Sequence, residues 1–370
     1  MKKRKKSNFG SWLVMLGSLI TGGLFGFYLS TAAVGQGMGF RAYMWTLAWM
    51  ALGLFAVVYC HIGLHELGHL IGGLLSGYSF SSFRLGSIMI MKESGKLRLR
   101  RFSIPGTGGQ CLMIPPQPVE GKIPFVRYGL GGVLMNTVVA VLALILWLIL
   151  DKGTIGSVLL MMTALFGAIL AISNGLPVRM GQVDNDGCNV RTLKKSSGAM
   201  AHYIHQMQIS DYLTKGIRVA DMPEEWFPKP ALSEMTDSMT ATAGVFAANR
   251  MLEEHRFEEA RMWMEQMLEA DTAMTELHAR LTVADLIFCQ LLKGENPEKW
   301  LDKEQKQFMQ VMKRSISILR TEYAIALLLE KNEEKARKIL TQFEKLTKQY
   351  PYPQEAQSER ELMELVKIKA

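Results

Sequence analysis

Apolar residues are spread unevenly along the chain. They dominate up to about residue 176, and charged residues dominate after about residue 194. Four apolar stretches, residues 9–34, 43–75, 125–150 and 155–176, each reach the roughly 20 residues that a helix needs to cross a bilayer. Helix is the form they predict, because it satisfies its own backbone groups inside hydrocarbon. Between the second and third stretches the pattern changes. Ser82-Phe83-Arg84-Leu85 and Lys96-Leu97-Arg98-Leu99-Arg100 alternate polar and apolar positions, with Glu93-Ser94-Gly95 as a turn between them. That period predicts a β-hairpin over residues 79–102. Gly106, Gly108, Gly109, Pro115, Pro116 and Pro118 then predict an irregular loop.

Beyond residue 193, apolar positions recur every three or four residues, as in 252–268 and 325–346, which predicts soluble helices. Arg256, Gly294 and Asn332 stand in similar turn-like stretches about 38 residues apart, with Ala260 and Ala336 at matching places after the first and last. Two arrangements account for this: a tetratricopeptide-like array, whose usual repeat is about 34 residues, or an ordinary helical bundle. The expected fold class is mostly α. It is a polytopic membrane protein with about four transmembrane helices, a membrane-associated β-hairpin and a C-terminal soluble helical domain. The domains divide as residues 1–190, with a core over 43–190, and residues 191–370.

The net charge of +8 changes this picture little, because Lys2, Lys3, Arg4, Lys5 and Lys6 supply much of it. A basic cluster before an apolar run is a topology signal rather than a nucleic-acid patch. The run that follows is long and lacks a small-residue cleavage site, so an uncleaved span is expected rather than a signal peptide. The stretch 77–122 is also basic, whereas the loops 35–41 and 151–154 carry almost no charge. Four spans with both termini in the cytosol satisfy that distribution. Cys60, Cys111, Cys188 and Cys289 form no CxxC pair, which argues against a disulfide framework or a zinc finger.

The chemistry concentrates in His65-Glu66-Leu67-Gly68-His69. On a helix, positions i and i+4 share a face, so both imidazoles can reach one zinc ion. Glu66 beside the first ligand can serve as general base toward water. Two histidines and a glutamate inside an apolar segment are costly unless paired or metal-bound. His61, one turn earlier, reads as a neighbour rather than a ligand. A catalytic zinc usually takes three protein ligands and a water. The remaining ligand is expected from the end of the fourth span, where Asn174-Gly175-Leu176-Pro177 precedes Asp184-Asn185-Asp186-Gly187. Both Asp184 and Asp186 are open to that role.

His-Glu-x-x-His in a membrane helix, followed two spans later by Asn-x-x-Pro and Asp-Gly, resembles the site-2 protease family of intramembrane zinc metalloproteases. The resemblance covers residues 43–190, and no PDZ-like insert is visible. It implies that Asp186, which precedes Gly187, is the third zinc ligand. The family's Gly-Pro-x-x-Asn is matched by Gly132-Val133-Leu134-Met135-Asn136, with Val133 in place of proline. It implies substrate-side roles for Asn136 and Asn174, and a β-sheet edge that holds an unwound substrate strand. The expected activity is hydrolysis of a peptide bond in a transmembrane or membrane-proximal segment near the cytosolic face, as in regulated intramembrane proteolysis. The expected partners are a membrane-protein or peptide substrate, the bilayer and a protein bound by the helical tail, without nucleic acid. Two other classes compete. A catalytically silent scaffold would have no need of Glu66, and a transporter would carry ionisable groups through both leaflets.

Overall fold

A computed structural model describes residues 39–370 apart from 94, 104–106, 152–153 and 178–182; before residue 39 it describes only residues 19, 22, 23, 26 and 37. The span expected over residues 9–34 therefore lies, those few positions aside, outside the described residues. The chain is mostly helical, with one small antiparallel sheet. It divides into two compact units. Of the described residues, one contains those up to 78 and those of 124–191; the other contains those of 79–123 and 192–370.

The first unit holds three helices long and apolar enough to cross a membrane: α1 (Phe40–Leu74), α3 (Gly131–Ile149) and α4 (Ile155–Gly175). A short helix α2 (Phe125–Gly129) leads into α3. Their outward faces are apolar and exposed, with Trp45, Trp49, Leu52 and Phe55 on α1 and Leu134, Val141, Leu142 and Ile145 on α3. Water would leave such faces uncovered, whereas lipid covers them. The inward faces are small. Gly68 and Gly72 on α1, Gly131 and Ala140 on α3, and Gly167 and Ala171 on α4 are buried. Small residues one turn apart let helix backbones approach closely, the packing device of membrane helices. Thr154 caps α4 by accepting a hydrogen bond from Ser157 N.

In the second unit the expected hairpin is part of a four-stranded antiparallel sheet, in the order β3-β2-β1-β4. The strands are β1 (Ser79–Leu85), β2 (Ile88–Glu93), β3 (Lys96–Arg101) and β4 (Gly109–Ile114). The turn at Gly95, with φ 79°, is where the sequence puts it. A second turn at Gly86, with φ 59°, splits the first half of the hairpin into β1 and β2. β4 arises inside the stretch expected to be irregular. Pairing with β1, from Ser79↔Ile114 to Leu85↔Gly109, gives it a partner that local pattern does not reveal.

The helical tail runs from α5 (Asp186–Lys195) and α6 (Ser197–Thr214) through α7 (Ser238–Glu253), α8 (Phe257–Glu269), α9 (Glu276–Lys293), α10 (Lys303–Val311) and α11 (Ile316–Ala324) to α12 (Glu333–Thr347) and α13 (Pro353–Lys369). Arg256, Gly294 and Asn332 all fall in interhelical turns, and Ala260 and Ala336 are both buried four residues after a cap. The helices between those turns differ in length, and Ile325–Leu329 adds a π-helical turn. Methionines such as Met235, Met264, Met267 and Met309 pack with Phe288 and Phe343 in one core. Arg320 is buried in that core. It bonds Asp285, lies 3.2 Å from Glu359 Oε2 and stacks over the Phe288 ring at 4.4 Å.

Glu355 and Glu359 are one turn apart on α13. Burial, reinforced by the neighbouring Glu359 charge, pushes the Glu355 carboxyl up to about 8. Burial pushes Glu359 up to about 7 against the opposing pull of Arg320. Both lie above the ordinary carboxyl value of about 4.3, so between those limits the folded state holds protons that the unfolded state has released. Their contribution to stability is therefore full at low pH and is lost as pH rises toward 8. Hydrogen exchange in residues 353–369, corrected for the intrinsic rate, should show stronger protection at pH 6 than at pH 8.5. Glu355→Gln should flatten that difference.

Candidate metal centre

On α1, His61, His65, Gly68, His69 and Gly72 lie at three- and four-residue spacing and form one stripe. The stripe faces α3 and the α2–α3 corner. A Cβ on Gly68 would stand 2.3 Å from Gly131 O, and one on Gly72 would stand 2.2 Å from Arg127 O. No side chain larger than hydrogen fits either place. A Cβ on Gly132 would meet the His65 ring at 2.5–2.7 Å, so that glycine leaves the ring its room.

The structure brings His65, His69 and Asp186 together. His65 Nε2 is 3.1 Å from His69 Nε2 and 3.1 Å from Asp186 Oδ2, and His69 Nε2 is 3.4 Å from the same oxygen. One ligand atom from each residue lies within 4.8 Å of the others, so the group can hold a metal ion. Asp184 is not in this group. Pro177 follows the end of α4, where Leu176 is extended, as expected of a residue before proline.

The chain then returns through a joint that the sequence reading overlooked. Asn185 Nδ2 donates to Ser173 O at 2.7 Å and to Leu176 O at 2.6 Å, while its Oδ1 accepts from Cys188 N at 2.9 Å. This side chain ties the start of α5 to the end of α4 and so places Asp186. Gly187 is required at the same joint, since a Cβ there would sit 2.3 Å from Gly175 O. The Asp-Gly pair thus has a steric reason as well as a chemical one.

The donor set suits a metal. His69 Nδ1 donates to Tyr128 O at 2.7 Å, which leaves the Nε2 lone pair facing the cluster. Asp186 Oδ2 is buried and, among the described residues, lacks a hydrogen-bond partner despite its closeness to both rings. Three electron-pair donors crowded round one point repel one another unless a cation sits among them. Two imidazole nitrogens and one carboxylate oxygen are a donor set that can hold a metal ion. Glu66, next to His65, is 8% exposed.

The two asparagines diverge. Asn136 is fully buried and bridges His61 and His65. Asn174 is half-buried and its Nδ2 donates to Leu170 O on its own helix at 3.0 Å. Val133 packs beside Gly175. Besides Asn185, the sequence reading missed Tyr128, whose contribution is a backbone carbonyl and leaves no mark on residue identity.

Comparison with protein-family profiles, curated proteins and solved structures finds no match. The functional reading therefore rests on the site's own geometry. Gly132→Ala should push the His65 ring aside, and Gly187→Ala should displace Asp186. Each should lower the metal retained after dialysis of the purified protein by an order of magnitude or more, about the cost of disturbing a ligand's supporting shell. Gly22→Ala, where nothing lies within 4 Å of the added Cβ, should leave it unchanged.

Proposed function

We propose that this protein is a membrane-embedded zinc metalloprotease of the site-2 type, cutting a peptide bond in a transmembrane or membrane-proximal segment of another protein near the cytosolic face. The observation that carries the reading is the convergence of His65, His69 and Asp186 within a helix bundle whose outer faces are apolar. His65, His69 and Asp186 hold the ion. When bound, zinc supplies Lewis acidity toward water and toward the scissile carbonyl. Glu66 takes a proton from the attacking water and returns it to the leaving amine. His65 lies about 14 Å from the C-terminal end of α1 at 1.5 Å per residue, which favours chemistry in the half of that helix nearer its C-terminal end.

A helical substrate must unwind before its carbonyls are open to attack. Edge strand β3, exposed along almost its whole length, offers backbone groups to such an extended segment. Asn174 serves on the substrate side. The helical tail, whether a tetratricopeptide-like array or an ordinary bundle, offers a surface for a protein partner. The protein sits in the cell membrane as a multi-pass protein with both termini in the cytosol, a reading that the basic residues of 2–6 and 84–122 support.

Zinc content of the purified protein in detergent tests the site. About one equivalent is expected in the wild type and in Asp184→Ala, and little in His65→Ala or Asp186→Ala. Absence of zinc from the wild type after loading with excess metal would overturn the reading. Glu66→Gln should keep the metal. Co-expressed with tagged single-span membrane proteins, it should slow appearance of the cleaved fragment by about 100- to 10,000-fold, the usual contribution of a general base.

A further inference from the structure

Asn136 stands between two imidazoles. As placed, its Oδ1 lies 3.1 Å from His61 Nδ1 and its Nδ2 lies 3.1 Å from His65 Nδ1. His61 is 1% exposed, and its other ring nitrogen, Nε2, lies 2.9 Å from Thr163 O. Nitrogen and oxygen of an amide are nearly identical in shape, so proton bookkeeping decides which end faces which ring.

The bookkeeping starts at Thr163. A carbonyl oxygen has no proton to give, so His61 Nε2 carries the hydrogen and donates it. A neutral imidazole has one N–H. His61 Nδ1 is therefore an acceptor and needs a donor, which the amide NH2 supplies. With the NH2 turned to His61, the amide oxygen faces His65 Nδ1, and that nitrogen must donate. The His65 lone pair is then left on Nε2, the atom that faces Asp186 Oδ2 and His69 Nε2. The amide is therefore turned over relative to its placed orientation, which would need a second proton on the buried His61 ring. The placed orientation would also put hydrogen on His65 Nε2, where a metal has to bind.

We propose that Thr163 O, His61, Asn136 and His65 form a relay that fixes the tautomer of His65, with His61 and Asn136 as positioning residues for a metal ligand. Its purpose rests on the metal-site reading above; its proton positions do not. The packing is built for it. A Cβ at Gly167 would meet the His61 ring at 2.5 Å, as one at Gly132 would meet the His65 ring, so a glycine leaves space for each. His69 needs no such relay, because Tyr128 O fixes it directly. The relay assigns Asn136 to the metal ligand rather than to the substrate. It also accounts for His61, a polar residue inside an apolar helix that the hydrolytic step does not use.

The test is the 15N spectrum of histidine-labelled full-length protein in detergent, with signals assigned by their loss in His61→Gln and His65→Gln. The relay requires a proton on His65 Nδ1 and none on His61 Nδ1, with or without zinc. The opposite pattern overturns it, and the wild type alone suffices for that reading. Zinc affinity, measured by competition with a chelating dye, gives a second arm. Asn136→Asp still accepts from His65 Nδ1 but offers His61 Nδ1 no donor, so it should bind more weakly than the wild type and more tightly than a variant that lacks both. Asn136→Leu, which cannot accept, should bind about 10- to 100-fold more weakly, the usual cost of losing a ligand's outer partner. An Asn136→Leu protein that binds within a few-fold of the wild type would overturn the relay's role in metal binding. A wild type that binds no zinc would instead sink the metal reading, while the ring protons would still decide the relay.

Discussion

The metal site hangs on a contact between two backbones. Gly68 and Gly131 face each other so closely that a Cβ on either would fall 2.2–2.3 Å from the other's carbonyl oxygen. The restriction is mutual, so neither position can compensate for a change at the other. Lipid gives helices no hydrophobic reason to associate, and close packing with interhelical hydrogen bonds must hold them together. His65 and His69 flank Gly68 on one stripe of α1. Because the backbones touch there, the Tyr128 carbonyl comes within hydrogen-bond reach of His69, and Asn136 within reach of His65. A looser crossing would still bury apolar surface but would leave both rings free to turn.

How much of this is legible in the sequence depends on how local the cause is. His65 and His69 are legible because one helix puts i and i+4 together. The three described spans are legible because the bilayer demands long apolar runs. The turn at Gly95 is legible from the alternation on either side of it. β4 is not, because Gly109–Ile114 becomes a strand only by pairing with β1 and is surrounded by glycine and proline. Nor is the break at Gly86, which a continuous alternating pattern conceals. Asp186 is an intermediate case. Residue type and spacing admit Asp184 equally, and only Gly187 together with the family resemblance favours the later carboxylate. The structure adds the reason, in the Asn185 tie and the space that only glycine leaves beside Gly175.

The tail handles buried charge in another way. Arg320 sits between Asp285 and Glu359 and against the Phe288 ring, so its cost of dehydration is met by partners on α9 and α13. A buried ion pair adds little net stability, but removing one partner strands the other. Asp285, Arg320 and Glu359 therefore tie together the three helices that carry them. The apolar residues around them, interchangeable in kind, would not specify that pairing so narrowly.

The order of the ligands along the chain has its own consequence. Synthesis runs from the N-terminus, so α1 emerges with both imidazoles well before Asp186 exists. A nascent chain at that stage can offer an ion only two nitrogens and has no Asn136 to orient the first. The third donor arrives after α3 and α4 have been made, and it reaches the rings only once Asn185 has docked on the end of α4. The site therefore assembles last, so the three donors meet only when the helices that position them are complete.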